Sequence, residues 1–318
     1  MTAICHCEAI EDGRGDLKLR RLRSADMAEG GHAMKLKNNN GVYRFRGRML
    51  GLLALCAAFW CVTPDSAVAE VRVTAGVERF SWGEYNGGKL LDESGPRYAI
   101  GLNWLMDGQA GWLPGYNGKL YYNDVTYSGR ACDTVGNCSP FSTTTGYQGM
   151  LNEALLHYRL DPGIKPDETD RHYLDIVAGL GLDYWIRDIK GKGGVTGYKE
   201  TYTIGFLRAG LEMLPVKNGL WVGAGLKYPF YLNEVAGFKS AGLADSDLTL
   251  TPQPDISYYG SIGWRFNNPF SVSFDFDSYR FKRSDLVSYT VGGVTASSQM
   301  VQPESRMEVY TFKVGYSF

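Results

Sequence analysis

The sequence is short of net charge, of histidine and of long apolar runs. Its 318 residues carry 33 basic and 34 acidic side chains, which gives a net charge of −1. This balance argues against a nucleic-acid-binding surface, and the 44% hydrophobic content argues against disorder. Beyond residue 69 no apolar run reaches the roughly 20 residues that a membrane-spanning helix needs. Phosphate-binding glycine loops, metal-ligand clusters and nucleotide motifs are absent from the sequence, so we expect no cofactor and no metal.

The most apolar stretch lies near the N-terminus and predicts a secretory signal peptide. It covers residues 49–62, follows three arginines within 44–48, and precedes the small-residue sequence Ala67-Val68-Ala69. A basic start, a short apolar core and an A-x-A site are typical of such peptides. A buried helix or a membrane anchor is the alternative, but the run is short for either. We therefore expect a signal core and cleavage region over 49–69, cleavage near Ala69, and a mature chain over 70–318.

Residues 1–48 have no apolar periodicity. Because a signal peptide begins at the start of a chain, we interpret them as a non-native or untranslated extension that also includes the basic start of the signal. The true translation start is then Met34 or Met49.

Two cysteines, Cys132 and Cys138, follow residue 69, and both lie in a segment rich in Gly, Ser and Thr. In an exported protein this spacing predicts one loop disulfide. A metal pair is the weaker interpretation, because no His or further Cys lies nearby.

From Glu70 onward, apolar and polar residues alternate in ten segments of about nine to eleven residues. In 174–187, for example, every second residue is aliphatic or aromatic. A period of two places one set on each face of a β-strand. The segment over 116–128 is ambiguous, because Tyr121 and Tyr122 fit either phase, and eight or twelve strands are alternatives to ten. Connections after odd segments are mostly long, including those at 129–146, 233–251 and 283–305, and connections after even segments are mostly short.

The last strand gives the most specific signal. One of its faces is wholly apolar or aromatic and comprises Tyr310, Phe312, Val314, Tyr316 and Phe318. With the signal peptide and the alternation, this ending resembles the outer-membrane β-barrel proteins of Gram-negative bacteria, whose terminal strand typically ends in Phe and is read by the barrel-assembly machinery.

The resemblance implies an all-β, closed, antiparallel, up-and-down transmembrane β-barrel of about ten strands, of the small porin-like or opacity-type class. It implies the outer-membrane bilayer, lipopolysaccharide and the assembly machinery as partners, and no nucleic acid. The five residues of the apolar face would form the assembly signal. A soluble β-sandwich or lipocalin-like barrel in the periplasm is the alternative.

With apolar faces towards lipid, the charged faces must point into the lumen. The predicted lumen network comprises Glu153, Arg159, Asp175, Asp183, Arg187, Arg208, Glu212, Lys227, Arg265, Asp275, Asp277 and Lys313. These residues either fill a small lumen with ion pairs or line a polar passage for small solutes, with Trp185 and Trp221 as plugs. Aromatic girdles are predicted from Trp104, Trp264 and Tyr316 at the inner ends of strands and from Phe80, Trp82 and Tyr228 at the outer ends.

Only two histidines, His157 and His172, follow residue 69, and the strand count places both near the periplasmic end. Barrel enzymes of the omptin and lipid A-modifying types use a histidine near the outer rim, so we expect no enzyme. The sequence therefore predicts a small porin-like or structural barrel. A ligand-binding or adhesive barrel that acts through its loops is the alternative.

Overall fold

Ten long strands account for most of the described chain. The computed structural model describes residues 2–4, 69–108, 110–132, 138–160, 172–297 and 299–318. The strands are β1 Ala69–Tyr85, β2 Lys89–Met106, β3 Gly111–Cys132, β4 Cys138–Arg159, β5 His172–Ile189, β6 Tyr198–Pro215, β7 Gly219–Ala236, β8 Ser257–Arg265, β9 Phe270–Lys282 and β10 Glu304–Ser317. Shorter strands lie between them at Val195–Thr196, Leu248–Leu250, Gln253–Asp255, Thr290–Val291 and Val294–Thr295.

The sheet closes on itself. Each strand pairs antiparallel with its neighbours in sequence, and β10 pairs with β1 from Glu304 opposite Tyr85 to Ser317 opposite Arg72. A closed wall has no unpaired edge, which lipid requires because hydrocarbon cannot satisfy free backbone N–H and C=O groups. The predicted ten-stranded, up-and-down β-barrel is confirmed.

The barrel has two different ends. Residues 69 and 318 lie at one end, here called the base, together with the connections at 216–218 and 266–269, the adjoining ends of β2 and β3 and those of β4 and β5. The opposite end, here called the rim, has the connections at 86–88, 190–197, 237–256 and 283–303 and the adjoining ends of β3 and β4. In bacterial barrels the end with short turns faces the periplasm and the end with longer loops faces outside.

The strands are longer than predicted. β3 and β4 have 22 residues each, and only β8, with nine, falls in the predicted range. The predicted loop over 129–146 is mostly strand, and β1 and β2 meet at a turn of three residues, 86–88. The prediction was wrong because the outward residues near the rim are no longer apolar, so the alternation ends before the strand does. About ten tilted residues cross a bilayer, so the wall extends past the membrane at the rim.

An apolar belt surrounds the outside of the wall. Its side chains include Ile100 and Leu120, which are 60% and 63% exposed. So many exposed apolar side chains on one continuous surface are unfavourable in water and favourable against lipid. The belt excludes the soluble sandwich. In the described ranges no helix has the length and apolarity to cross a membrane.

Two residues of the predicted outer girdle face the lumen instead. Phe80 and Trp82 are buried, whereas Tyr228 at a corresponding height is exposed on the outside. Phe80 and Trp82 share the phase of Arg72 and Thr74, so they point inward with them. The inward face of β1 changes from polar to aromatic towards the rim, and a rule that assigns apolar residues to lipid fails there.

Most of the predicted leader lies outside the described residues. Its described part is Ala69 and a short strand, Thr2–Ile4, which pairs with Ala131–Cys132 and with Val195–Thr196. Cleavage near Ala69 would remove this short strand. The boundaries at 48 and 69 and the start at Met34 or Met49 stay predictions.

Candidate functional site in the barrel lumen

The lumen is hollow towards the base and filled towards the rim. A cavity of about 250 Å³, here called the vestibule, extends from Glu70 and Arg265 at the base to Lys119 and Lys227 midway up the barrel. Beyond it the lumen is closed by a set of side chains that are each no more than 1% exposed. This set, here called the plug, comprises Phe80, Trp82, Glu84, Glu93, Trp185, Arg187, Glu200, Tyr202, Phe206, Glu234, Tyr279 and Phe281.

Ion pairs between strands line the vestibule and the wall just beyond it. They are Lys119–Glu78 (2.8 Å), Arg97–Glu78 (2.6 Å), Arg208–Glu153 (2.9 Å), Arg265–Glu70 (2.7 Å), Lys227–Asp277 and Lys313–Asp275. Pairing offsets the cost of removing charges from bulk water in a narrow lumen. The vestibule is therefore polar without a field of one sign.

At the base, one arginine ties two strands to a turn. Arg159 donates through Nε and Nη2 to the two carboxylate oxygens of Asp175, each at 2.9 Å, and through Nη1 to the carbonyl of Gly108 at 2.6 Å. A two-pronged guanidinium–carboxylate contact fixes both orientation and register. This cluster holds β4, β5 and the turn after β2 together.

Both histidines lie in the base half, where the strand count predicts them. His157 is buried, with Nδ1 3.4 Å from Asp175 Oδ2 and 3.9 Å from Glu212 Oε2. His172 lies with Nε2 2.9 Å from the carbonyl oxygen of Leu220.

The charged part of the plug centres on Arg187. Its guanidinium contacts Glu93 through Nε at 3.1 Å and Nη2 at 2.9 Å, and it contacts Glu84 at 3.1 Å and Glu200 at 2.6 Å through Nη1. Neutral donors add to these bonds. Tyr147 donates to Glu93 at 2.5 Å, Thr145 to Glu93 at 2.9 Å, Trp82 to Glu84 at 3.0 Å and Tyr202 to Glu200 at 3.2 Å.

Aromatic rings close the space around these charges. Trp185 stacks on Tyr202 with ring centroids 5.0 Å apart, and Trp82 packs edge-on against both. A glycine makes the room for them, because a Cβ on Gly149 would lie 2.7 Å from the Trp185 Cβ and 2.5 Å from the Tyr121 ring. The lack of a side chain at Gly149 therefore lets the Tyr121 and Trp185 side chains pack directly over the backbone of β4.

Two rim loops cover the plug. Phe238, Leu248 and Leu250 of the 237–256 loop are buried against it. From the same loop, Asp245 accepts hydrogen bonds from the backbone N–H groups of Gly292 and Gly293, each at 2.8 Å. These two bonds lower the pKa of the Asp245 carboxyl below its ordinary value. The contact, here called the clasp, joins the 237–256 and 283–303 loops.

The chain is similar to several solved structures. No family model matches the chain, and no curated protein matches it. The similar solved chains are outer-membrane proteins. The outer-membrane protease OmpT from Escherichia coli has a TM-score of 0.42 and 12% identity, with 80% of this chain and 98% of that one covered.

Two similar chains are autotransporter domains. The translocator domain of NalP from Neisseria meningitidis gives a TM-score of 0.37 and 13% identity, over 87% of this chain and 97% of that one. The transport unit of AIDA-I from Escherichia coli gives 0.39 and 11%, over 86% and 98%. At such scores these likenesses carry no argument about fold or activity. The closed wall and the apolar belt of the chain itself are those of an outer-membrane-type transmembrane barrel.

The structure places all twelve predicted network residues on the inward face. Eight of them line the vestibule, Arg159 and Asp175 form the cluster at the base, and Arg187 lies in the plug. Asp183 lies midway along the barrel and accepts a hydrogen bond from the Tyr121 hydroxyl at 2.9 Å. Tyr121 therefore points inward and Tyr122 outward, which resolves the ambiguous phase of β3. Trp185 lies in the plug, whereas Trp221 lines the vestibule.

Several lumen residues were missed from the sequence. They are Arg97, Lys119, Glu78, Glu84, Glu93, Glu200 and Glu234. Glu234 belongs to a segment interpreted as a loop, and Lys119 belongs to the strand of ambiguous phase. The available signal was phase, since Glu78, Phe80, Trp82 and Glu84 continue the inward phase of Arg72.

The cysteine hairpin brings its two cysteines level. Cys132 lies opposite Cys138 in the β3–β4 ladder, and Cys138 is disulfide-bonded. The Cys132 side chain lies outside the described ones, so the pairing stays a prediction. Within the described part of the chain, no group of three or more His, Cys, Asp or Glu side chains is arranged to hold a metal ion.

Proposed function

We propose that the protein is a closed structural barrel of the outer membrane that does not conduct at rest, rather than an open porin-like channel. The observation that supports this is the plug. Its central side chains are Trp82 of β1, Trp185 and Arg187 of β5, and Tyr202 of β6. Each of them is at most 1% exposed.

Opening the plug requires a large free energy. Its aromatic pairs each contribute about 0.5–1.5 kcal/mol beyond burial, and separating Arg187 from its glutamates would leave buried charges without partners. Thermal opening to a water-filled path would therefore be rare. Small solutes that enter the vestibule from the base have no path to the rim in this conformation.

Planar lipid bilayers test the proposal. The folded wild-type protein should show no discrete conductance steps at neutral pH. The double variant Trp82→Ala/Trp185→Ala removes two plug rings, and we expect it to produce steps. Its matched control is Trp112→Ala/Trp264→Ala, which removes two exposed rings of the outer surface and should stay silent. Regular porin-like steps from the wild type would overturn the proposal.

A surface-binding role is the second candidate, and the clasp favours it. The clasp holds the small hairpin Thr290–Thr295, whose tip exposes Val291 and Val294 to 50% and 69%. Exposed apolar residues on a fixed loop are a common basis for recognition. Bacteria that display the protein should lose adherence with Val291→Asp/Val294→Asp, and unchanged adherence would count against this role.

We propose no catalytic role. Barrel enzymes that use a histidine near the outer rim provide the nearest precedent for chemistry in this architecture. His157 and His172 both lie towards the base, and the outer half of the lumen is filled.

A further inference from the structure

Four glutamates converge on one arginine in the plug. Glu84 comes from β1, Glu93 from β2, Glu200 from β6 and Glu234 from β7, and Arg187 comes from β5. All five side chains are at most 1% exposed. If all were ionised, the cluster would carry three uncompensated negative charges away from water, which is strongly unfavourable.

Three of the glutamates are bonded and the fourth is not. Arg187 donates to Glu84, Glu93 and Glu200. Neither carboxyl oxygen of Glu234 has a partner in good hydrogen-bonding geometry, although the Tyr202 hydroxyl lies near enough to interact with the carboxyl group.

The charged and titratable groups that face Glu234 do not neutralise it. On β6, Tyr202 lies directly opposite Glu234, but its hydroxyl donates to Glu200. Glu84 and Glu200 both repel a negative charge at Glu234, and Arg187 is the cation that attracts it. On its other side Glu234 lies opposite the apolar Leu250.

Other cations near the middle of the lumen are already paired. Arg97 is bonded to Glu78, and Lys227 forms an ion pair with Asp277. Other polar groups also lie at the cluster. The hydroxyls of Tyr147 and Thr145 donate to Glu93, and the indole N–H of Trp82 donates to Glu84. The hydroxyl of Tyr127 and that of Ser305, which lies opposite Glu84, are buried beside them. Among the described residues, therefore, no basic side chain is left to neutralise Glu234.

We propose that Glu234 is a buried proton-binding site, which holds its proton while the plug is closed and opens the rim half of the lumen when it releases it. This rests on the closed barrel proposed above. A neutral carboxylic acid has one O–H to donate and no charge to desolvate, so it fits this position better than a carboxylate does. Removal of the proton adds a negative charge beside Glu84 and Glu200, and their repulsion acts to push these side chains apart and to loosen the packing of the plug, while the ladder between β6 and β7 stays paired.

Infrared spectroscopy of the protein in lipid vesicles tests the proton directly. At neutral pH, the wild-type spectrum minus that of Glu234→Gln should contain the carbonyl band of one protonated carboxyl group. The same difference for Glu304→Gln should contain only carboxylate bands, because Glu304 is exposed and paired with Arg306 at 2.7 Å. Absence of a protonated band from the Glu234 difference would overturn the proton site.

Bilayer recordings against pH test the opening. Wild-type protein should be silent at neutral pH and show steps as the pH is raised, whereas Glu234→Gln should stay silent throughout, since glutamine keeps the size of the acid but cannot ionise. Steps at high pH in both proteins, or in neither, would overturn the gating role. Wild-type steps at neutral pH would instead overturn the closed-barrel proposal, while the infrared difference would still report on the proton.

Discussion

Arg187 is the residue on which the plug charges depend. It is fully buried and bonded to three buried glutamates, Glu84, Glu93 and Glu200. Most ion pairs at the rim surface are different, because water screens them and they contribute little. A buried arginine in the plug therefore contributes far more to the free energy of unfolding than an arginine in an ion pair at the rim surface.

We expect Arg187→Gln to lower the free energy of unfolding by roughly 3–5 kcal/mol, because it leaves buried carboxylates unpaired. Arg306→Gln is the control, since Arg306 pairs with Glu304 at the surface and should contribute about 1 kcal/mol or less. Urea unfolding in lipid vesicles, followed by tryptophan fluorescence, measures both. Equal losses in the two variants would contradict the central role of Arg187.

At the scale of single residues, the sequence predicts which charged side chains face the lumen, but it does not predict which of them form ion pairs. The alternation gave the facing of Asp175, Asp183 and Arg187 directly. Which charges meet depends on register and on barrel closure, and the bond between Arg187 and Glu93 joins residues 94 apart in sequence. No local pattern specifies such a contact.

Among the structural elements, we expect the two clasped rim loops to respond to pH through Asp245. The pKa of Asp245 is lowered because its carboxylate accepts two backbone hydrogen bonds. A lowered pKa in the folded state means that the bonds are fully formed above the ordinary aspartate value, and that their contribution is lost as the pH falls through the lowered value.

The amide protons of Gly292 and Gly293 should therefore keep their bonded NMR shifts as the pH is lowered through 3.8, the ordinary value for aspartate, and change only below it. In Asp245→Asn the same shifts should not titrate with that group. A midpoint at or above 3.8 in the wild type would show that the clasp does not form as described.

The membrane-crossing part of each strand could be predicted from the sequence, and the part beyond the membrane could not. Leu174, Ile176 and Leu180 alternate because lipid selects apolar residues on one face. Above the belt the pattern of β3 is reversed, because its outward residues are polar while Val125 and Tyr127 are buried on the inward face. Hydrogen bonding between strands continues there to Cys132, but a rule that points apolar residues towards lipid no longer applies.

At the scale of the whole molecule, the terminal strand closes the barrel, and we expect it also to direct assembly. Phe318 is 79% exposed on the outside, and its N–H donates to the carbonyl of Val71 in β1 at 2.9 Å. We expect Phe318→Asp to reduce the amount of folded protein in the outer membrane, because it places a charge on the lipid side and alters the ending that the assembly machinery is expected to read.

Val294→Asp is the matched control, because it puts the same charge on an exposed apolar residue of a rim loop. Quantification of folded protein in outer-membrane fractions compares the two variants. Normal insertion of the Phe318 variant would count against a role for that residue in assembly.

The seam between β10 and β1 also sets the order in which the molecule can be completed. The Arg72 and Ser317 side chains are hydrogen-bonded across it although they lie 245 residues apart in sequence. The entropic cost of joining two chain segments grows only slowly with their separation in sequence. The separation of β1 and β10 therefore adds little free energy, but the barrel cannot close before β10 is present. One edge of β1 stays unpaired until β10 is present. A chain that lacked β10 would keep two unpaired strand edges, which favour aggregation, where the complete barrel has none.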